Sequence, residues 1–301
     1  MRDDPRRALA AAAVALALVA CGRGSSSPRP LDDARATAPL SAADAAAAPI
    51  APGTTVRSVT GVAERRVGDA WVALQIGDQL GINDQIRTAE GAATELDLGG
   101  ETLVTIGATS ELTIREVSES VSNVMLGSGR VSAQVPAGSS KIRLETRGGS
   151  AVVEADDGEF SAIASGSGDV TVATTKGTAR LTSSGATVAI ARGRQATARA
   201  GEAPSVPVPI PASLFLKVKP LGGDLRETVV RGETAPGAVV SINGVRMTTD
   251  ADGTFDTRLA ALEGDNVIVV FVEDASGRSE QKVLRRTVNR RPPPVKAEVT
   301  W

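Results

Sequence analysis

The chain has 301 residues and a net charge of −2, from 33 Lys and Arg against 35 Asp and Glu, so it lacks the basic excess typical of nucleic-acid-binding domains. It has no His and one Cys, which excludes a Ser-His-Asp or Cys-His catalytic device and a zinc site built from those residues. Aromatic residues make up only 2%, so any core must be aliphatic. We expect no cofactor and no catalytic site.

Residues 1–20 predict a secretory signal peptide. Arg2, Arg6 and Arg7 precede an uncharged apolar run that ends at Cys21, the order of features found in such signals. The run of about 13 residues is shorter than the roughly 20 that a membrane-spanning helix needs. The segment resembles a bacterial lipoprotein signal, which implies cleavage before Cys21 and attachment of lipid to its thiol. An ordinary signal peptide or an uncleaved anchor stays open as an alternative.

Residues 21–55 are rich in Ala, Ser, Pro and Gly and contain few large aliphatic residues. Such a composition buries too little apolar surface to offset the entropy of ordering the chain. The segment is predicted to be a disordered tether.

The texture changes at 56, and residues 56–203 predict an antiparallel all-β domain. Apolar residues alternate with polar ones in short runs, for example at 95–98 and 112–114, and Gly, Asn or Asp interrupts them roughly every eight to ten residues. Alternation with a period of two places one face of each strand in a core.

Residues 204–213 contain repeated prolines and predict an extended linker, because proline lacks an amide donor and restricts the residue before it. A second β-module is predicted at 214–289, and a short C-terminal tail follows at 290–301.

Several segments of the first domain combine tight-turn residues with alternate aliphatics. They are IGDQL (76–80), DQIRT (84–88), GAATELDL (91–98), LGSGRV (126–131) and RGRQATA (192–198). In this order and spacing they resemble a FecR-type domain. FecR-type proteins are envelope sensors that relay the state of an outer-membrane transporter to a sigma factor, through a helix that crosses the membrane. Because the only hydrophobic run here looks like a cleaved leader, the resemblance implies a periplasmic binding module rather than that relay.

The second module contains the segments VRGETAPGAVV (230–240), TDADGTF (249–255) and LEGDNVIVV (262–270). Their order resembles a bacterial Ig-like module, which implies a β-sandwich. Such sandwiches carry many functions, so the resemblance does not indicate a ligand.

Three acidic residues of this module, Asp250, Asp252 and Asp256, are candidate calcium ligands because calcium prefers carboxylate oxygens. Their spacing does not fit an EF-hand loop, since the glycine at 253 comes too early. A β-turn capped by Asp and opened by Gly is the favoured interpretation. The carboxylates at 156–159 are likewise interpreted as solvated turn residues rather than as a catalytic pair.

The tail alternates apolar and polar residues, with Val295, Val299 and Trp301 on one face. We expect it to dock on the second module, and addition as a strand to the sheet edge of a partner stays open.

Together these features predict a non-enzymatic, lipid-anchored envelope protein that binds or scaffolds protein partners. It is expected at the outer membrane facing the periplasm, because Gly22 follows the cysteine. Two alternatives stay open, a glycan or peptidoglycan binder and, less favoured, a FecR-type regulator of envelope signalling.

Overall fold

The computed structural model describes residues 50–99, 101–118, 120–250 and 252–290, and it confirms the predicted all-β class. Within these ranges, regular structure other than strands is limited to a 3-10 turn at Arg147–Gly149. The signal segment, Cys21 and the tail residues Val295, Val299 and Trp301 lie outside the described residues.

In the described ranges, the first module consists of sixteen strands. They are β1 (Ile50–Thr60), β2 (Ala63–Val67), β3 (Ala70–Ala73), β4 (Gln79–Gly81), β5 (Gln85–Thr88), β6 (Ala93–Leu98), β7 (Leu103–Ile106), β8 (Glu111–Val117), β9 (Val121–Val135), β10 (Lys141–Thr146), β11 (Ala151–Ala155), β12 (Gly158–Ala164), β13 (Val170–Ser183), β14 (Ala186–Ala191), β15 (Arg194–Ala198) and β16 (Val208–Pro209).

These strands form two layers. One has the order β4-β1-β6-β7-β9-β12-β13-β15-β16, and the other has the order β3-β2-β5-β8-β9-β10-β11-β13-β14. The prediction of antiparallel pairing holds with one exception, because β9 and β10 run parallel. The second half of β9 lies in the other layer, and the chain crosses back at 136–140 to begin β10, so no tight hairpin joins β9 to β10. The turn at 147–150 then joins β10 to β11 within one layer.

The long strands β9 and β13 belong to both layers. Residues 122–128 of β9 pair with β8, and residues 129–135 pair with β12. At the change of partner Gly129 has a φ of +93°, and a Cβ there would lie 2.1 Å from Ser110 Oγ. Glycine is therefore required at the point where the strand passes from one layer to the other.

The core lies between the two layers and is aliphatic, as the composition requires. Strands β6 and β10 alternate between buried and half-buried residues along their whole length. Leu96, Leu126, Leu144 and Val153 are fully buried in one cluster fed by both layers. Each such side chain contributes about 1.5–3 kcal/mol of hydrophobic free energy.

Two predicted boundaries need correction. Strand β1 begins at Ile50 and pairs Thr54 with Leu98, so the segment 21–55 predicted as a tether overlaps the first strand at 50–55. Thr54 and Thr55 are β-branched and favour the strand, although the Ala and Pro residues before them have the composition of a tether. Strand β16 lies inside the predicted linker 204–213 and pairs with β15 at the edge of the first module, where a proline without an amide donor is tolerated.

The second module consists of β17 (Leu216–Val218), β18 (Gly222–Gly223), β19 (Glu227–Thr234), β20 (Val239–Ile242), β21 (Val245–Thr248), β22 (Thr254–Ala260), β23 (Gly264–Glu273) and β24 (Ser279–Val288). One antiparallel sheet has β19 at its centre, with β22 on one side and β17 and β18 on the other. The second has the order β21-β20-β23-β24. Leu216, Val230, Val240, Phe255 and Val270 form a core fed by both sheets, as in a sandwich. Membership of the Ig-like family stays a prediction.

Candidate functional site

The two modules are joined by a cluster of three charged side chains. Arg130 of β9 donates from Nε to Oε1 of Glu273 on β23 over 3.0 Å. Arg246 of β21 places Nη2 at 3.9 Å from Glu273 Oε2. Glu273 is 8% exposed and Arg246 is 10% exposed, so both charges are removed from water. Glu273 takes this position because Val272 and Val270 face the core of the second module and the alternate positions of β23 face outward.

A second polar contact across the joint centres on Asp169, between β12 and β13. Its carboxylate accepts hydrogen bonds from Thr248 Oγ1 at 2.8 Å, the Ala200 amide at 2.9 Å and Ser167 Oγ at 3.0 Å. Burial acts to raise the pKa of Asp169, but these hydrogen bonds and the nearby Arg199 outweigh it and hold the pKa below its usual value. Thr248 belongs to β21, so an ionised carboxylate of the first module is held in part by the second.

Apolar packing closes the joint. Gln195 Nε2 donates to Pro236 O over 2.8 Å at its edge. The two modules also lie close together at Gly277, where a Cβ would be 3.0 Å from Arg130 Cζ. The buried cluster itself contains Ile163 and Ala173 from the first module and Val239 and Ala275 from the second, with Ile210 packed against it.

The linker between the modules is held at both of its ends. The Ile210 amide donates to Gly193 O in the first module. Arg278, in the turn between β23 and β24, donates to the carbonyls of Pro211 and Ala212, each at 2.8 Å, and pairs with Asp274 at 2.6 Å. The extended linker therefore fixes the two modules to each other instead of separating them.

The joint borders a cleft of about 560 Å³. Its walls come from loops of the first module and from the outer face of the sheet β21-β20-β23-β24. Strand register places Ser241, Phe271 and Gln281 side by side on that face. Phe271 is half-buried and supplies an apolar surface in the same cleft as Arg246 and Glu273. The arrangement is a preformed site with an apolar floor and a charged end.

A smaller cavity of about 360 Å³ lies beside Gln195, Pro236 and Asp250. It contains no buried charge pair of the kind found at the larger cleft, among the residues that line it in the structure. We therefore take the larger cleft as the candidate site.

The three candidate calcium ligands do not converge on one point. Asp256 pairs with Arg231 at 2.6 Å, and Asp250 lies 3.3 Å from Arg199. Asp252 accepts from the amide and hydroxyl of Thr254, and the amide hydrogen bond is the main reason why its pKa is lowered. This is the turn that the sequence favoured, with Gly253 at a φ of +86°. Across the described ranges, no three His, Cys, Asp or Glu side chains gather as metal ligands would.

The acidic turn at 156–159 is likewise a surface feature. Asp156 is bound by Arg180 and Lys141, and the hydrogen bond from Arg180 lowers its pKa. A general acid at neutral pH needs a raised pKa, so this carboxylate is poorly suited to that role.

Sequence reasoning did not single out Arg130, Arg246 or Glu273 as functional residues. Arg130 and Glu273 are 143 positions apart, and each occupies an ordinary alternate position of a strand. One feature of the sequence could have pointed to Glu273. Two acidic residues at 273–274 directly follow the apolar run 267–272, so they are placed at the end of a buried strand.

Among the described residues, no helix has the length and apolar character needed to cross a bilayer.

No curated protein matches the chain. Two crystal structures of a proposed anti-sigma factor from Parabacteroides distasonis match at 16% and 15% identity, each with a TM-score of 0.37. Each match covers 42% of this chain and 59% of the other, so the chain spans about three fifths of those proteins. These values are too low to transfer a fold or a function.

A family model matches the centre of the first module. The matched range runs from the turn before β5 into β13, and it includes the segments 84–88, 91–98 and 126–131 on which the resemblance was based. Residues 84–180 of this chain are therefore similar to the family described as FecR protein.

Proposed function

We propose that this chain is a non-enzymatic protein of the bacterial cell envelope that binds a protein partner. The observation that carries the proposal is the cleft at the joint between the two modules. Binding sites form preferentially between domains, where both walls can contribute groups. Buried charges, apolar packing and the bound linker hold this joint, so the cleft is available without a large ordering cost.

The FecR similarity of residues 84–180 supports an envelope location, because proteins of that family are associated with the envelope. It also favours a second candidate, a regulator of envelope signalling. In that case the bound partner is itself a component of a signalling chain, and the cleft serves the same recognition step.

The chemistry of the side chains supports a binding role over catalysis. The chain has no His. In and beside the acidic turn at 156–159, Asp156 pairs with Arg180 and Glu154 pairs with Arg143. Robust turnover of any envelope substrate by the purified chain would contradict this part of the proposal.

We also propose that Cys21 carries the lipid and that the mature protein begins there, at the outer membrane. A lipid anchor raises the effective concentration of a weak binder near its partners. Mass spectrometry of the mature N-terminus tests the proposal directly. We expect a lipid-modified Cys21 in the wild type and an unprocessed leader in Cys21→Ser, and an unmodified thiol at position 21 would contradict it.

Partner binding is tested by affinity capture from an envelope extract with the full-length chain as bait. Gln281→Trp introduces bulk into the cleft from an exposed position, and Arg285→Trp makes the same change on the same face of β24, outside the cleft. We expect one or more proteins that the wild type and Arg285→Trp retain and Gln281→Trp loses. Sedimentation with isolated cell wall runs beside it, and binding there without a protein partner would favour the glycan-binding alternative.

A further inference from the structure

The charges buried at the joint do not balance. Two guanidinium groups, those of Arg130 and Arg246, face a single carboxylate, that of Glu273. Arg130 Nε donates a hydrogen bond to Glu273 Oε1 over 3.0 Å. Arg246 Nη2 lies 3.9 Å from Glu273 Oε2, which is beyond hydrogen-bond distance. The other acid that lines the cleft is Glu90, which is exposed to solvent. Among the residues that the structure describes, one positive charge at the buried end of the cleft is therefore left without a close anion.

Arg246 is the cation with the poorer pairing. Within the described part of the chain, its Nη2 makes one long hydrogen bond, to Ala108 O at 3.4 Å, and its buried Nη1 has no hydrogen-bond partner. Burial lowers the pKa of Arg246, and the attraction of Glu273 only partly offsets this effect. An unpaired buried donor on a charged group is costly, so the site favours a ligand that brings an acceptor.

The same wall of the cleft carries an apolar surface, separated from Arg246 by Ser241 on the strand between them. Phe271 lies in the cleft with Val269 on the same strand, and both are half-buried. A small inorganic anion would leave this surface unused. A peptide segment can place a carboxylate at one end of the cleft and an apolar side chain on the phenyl ring.

We propose that the cleft binds an acidic segment of a protein partner, with a carboxylate of that segment beside Arg246 and a neighbouring apolar side chain on Phe271. The proposal rests on the proposed function, protein recognition, and names the chemistry of the partner. Arginine suits this role because its planar group binds a carboxylate through two parallel hydrogen bonds.

The direct test is calorimetric titration of the purified full-length chain with a capped hexapeptide of alternating Leu and Glu. The same peptide with Gln for Glu is the neutral control. We expect the acidic peptide to bind at least tenfold more tightly than the neutral one, and Arg246→Gln to weaken its binding by about tenfold. Arg285→Gln removes an exposed arginine from the same sheet outside the cleft and is expected to leave the affinity unchanged.

A variant that blocks the cleft separates loss of binding from loss of folding. Gln281→Trp keeps Arg246 and is expected to abolish peptide binding while thermal unfolding stays close to that of the wild type. Equal affinity of the wild type, Arg246→Gln and Gln281→Trp for the peptide would overturn the proposal. Displacement of the peptide by inorganic phosphate at a similar concentration would also overturn it, because the cleft would then be a general anion site.

The capture experiment shows which idea has failed. A partner that Arg246→Gln retains as well as the wild type does would overturn the acidic-segment proposal and leave the proposed function standing. Peptide binding in the cleft without any captured protein would count against protein recognition as the function and leave the preference of the cleft for acidic peptides standing.

Discussion

Arg130 and Glu273 lie 143 residues apart in the sequence and meet with 3.0 Å between Nε and Oε1. The pair connects β9, a strand shared by both layers of the first module, to the last residue of β23 in the second. Glu273 Oε2 also lies 3.9 Å from Arg246 Nη2, so one carboxylate at the joint is hydrogen-bonded to one cation and lies near a second.

Replacement of this carboxylate should be costly. Glu273→Gln leaves two guanidinium groups without an anion, and removal of one partner from a buried pair costs about 3–5 kcal/mol. Arg130 is 19% exposed, so we expect the lower end of that range in the free energy of unfolding, measured by denaturant titration. Glu227→Gln, which removes the exposed pair with Arg258, is the control and should cost less than about 1 kcal/mol. Equal losses in the two variants would contradict a special role for the joint.

Stability of the joint should fall in acid because of Asp169. Its pKa in the folded state lies below the ordinary value of 3.8, so its carboxylate contributes stability fully above that value. The contribution is lost as the pH falls from about 3.8 through the folded-state pKa. Asp169→Asn should lose about 2 kcal/mol at neutral pH, from weakened hydrogen bonds to a charged group, and should show a shallower decline below pH 4 than the wild type.

Thr248→Val is the matched variant for that experiment. It removes one of the three donors to Asp169 and keeps the titrating carboxylate, so part of the acid dependence should remain. Unfolding temperatures measured between pH 3 and pH 7 compare the three proteins. Identical pH profiles for the wild type and Asp169→Asn would show that Asp169 does not contribute to the acid dependence.

The turn at Gly253 should be far less tolerant than a comparable turn on the same module. Gly253 and Gly244 have the same φ of +86°, but a Cβ on Gly253 would lie 2.0 Å from Thr234 O, and a Cβ on Gly244 meets nothing within 4 Å. Gly244→Ala should cost about 1–2 kcal/mol from backbone strain alone. Gly253→Ala should cost clearly more, because Thr234 must move, and chemical denaturation measures the difference. Similar costs would mean that the turn can shift away from its neighbour.

Calcium should not stabilise the protein through Asp250, Asp252 and Asp256. Arg199, Thr254 and Arg231 respectively already bind these carboxylates, and the three do not converge. We expect the same unfolding temperature with millimolar calcium and with a chelator. A rise that grows with the logarithm of the calcium concentration would reveal a specific site and contradict this prediction.

Much of the fold followed from local pattern. Alternation of apolar residues predicted strands such as β6 and β10, and their core residues Leu96 and Leu144 are fully buried. Turn chemistry identified the reversal at Gly253. These features depend on neighbours in the sequence, so a single sequence contains the information.

The cleft could not be predicted in the same way, since its residues depend on pairings across the whole chain. Arg130 and Arg246 come from different modules, and nothing near either of them indicates that both will face Glu273. The parallel pairing of β9 with β10 was missed for a related reason, because alternation is the same in parallel and antiparallel strands at this length. Composition misled at 50–55, where small residues of β1 resemble a tether.

The two shared strands also restrict how this protein can change in length. Deletion of one residue within 121–135 or 170–183 would turn every later side chain of that strand to the opposite face. Because each of these strands belongs to both layers, the deletion would disturb the packing of both. A change of length at the two-residue turn of Ser184 and Gly185 is less restricted, because Gly185 has open space around it. Insertions and deletions in relatives of this module should therefore collect in its turns, while the lengths of β9 and β13 stay constant.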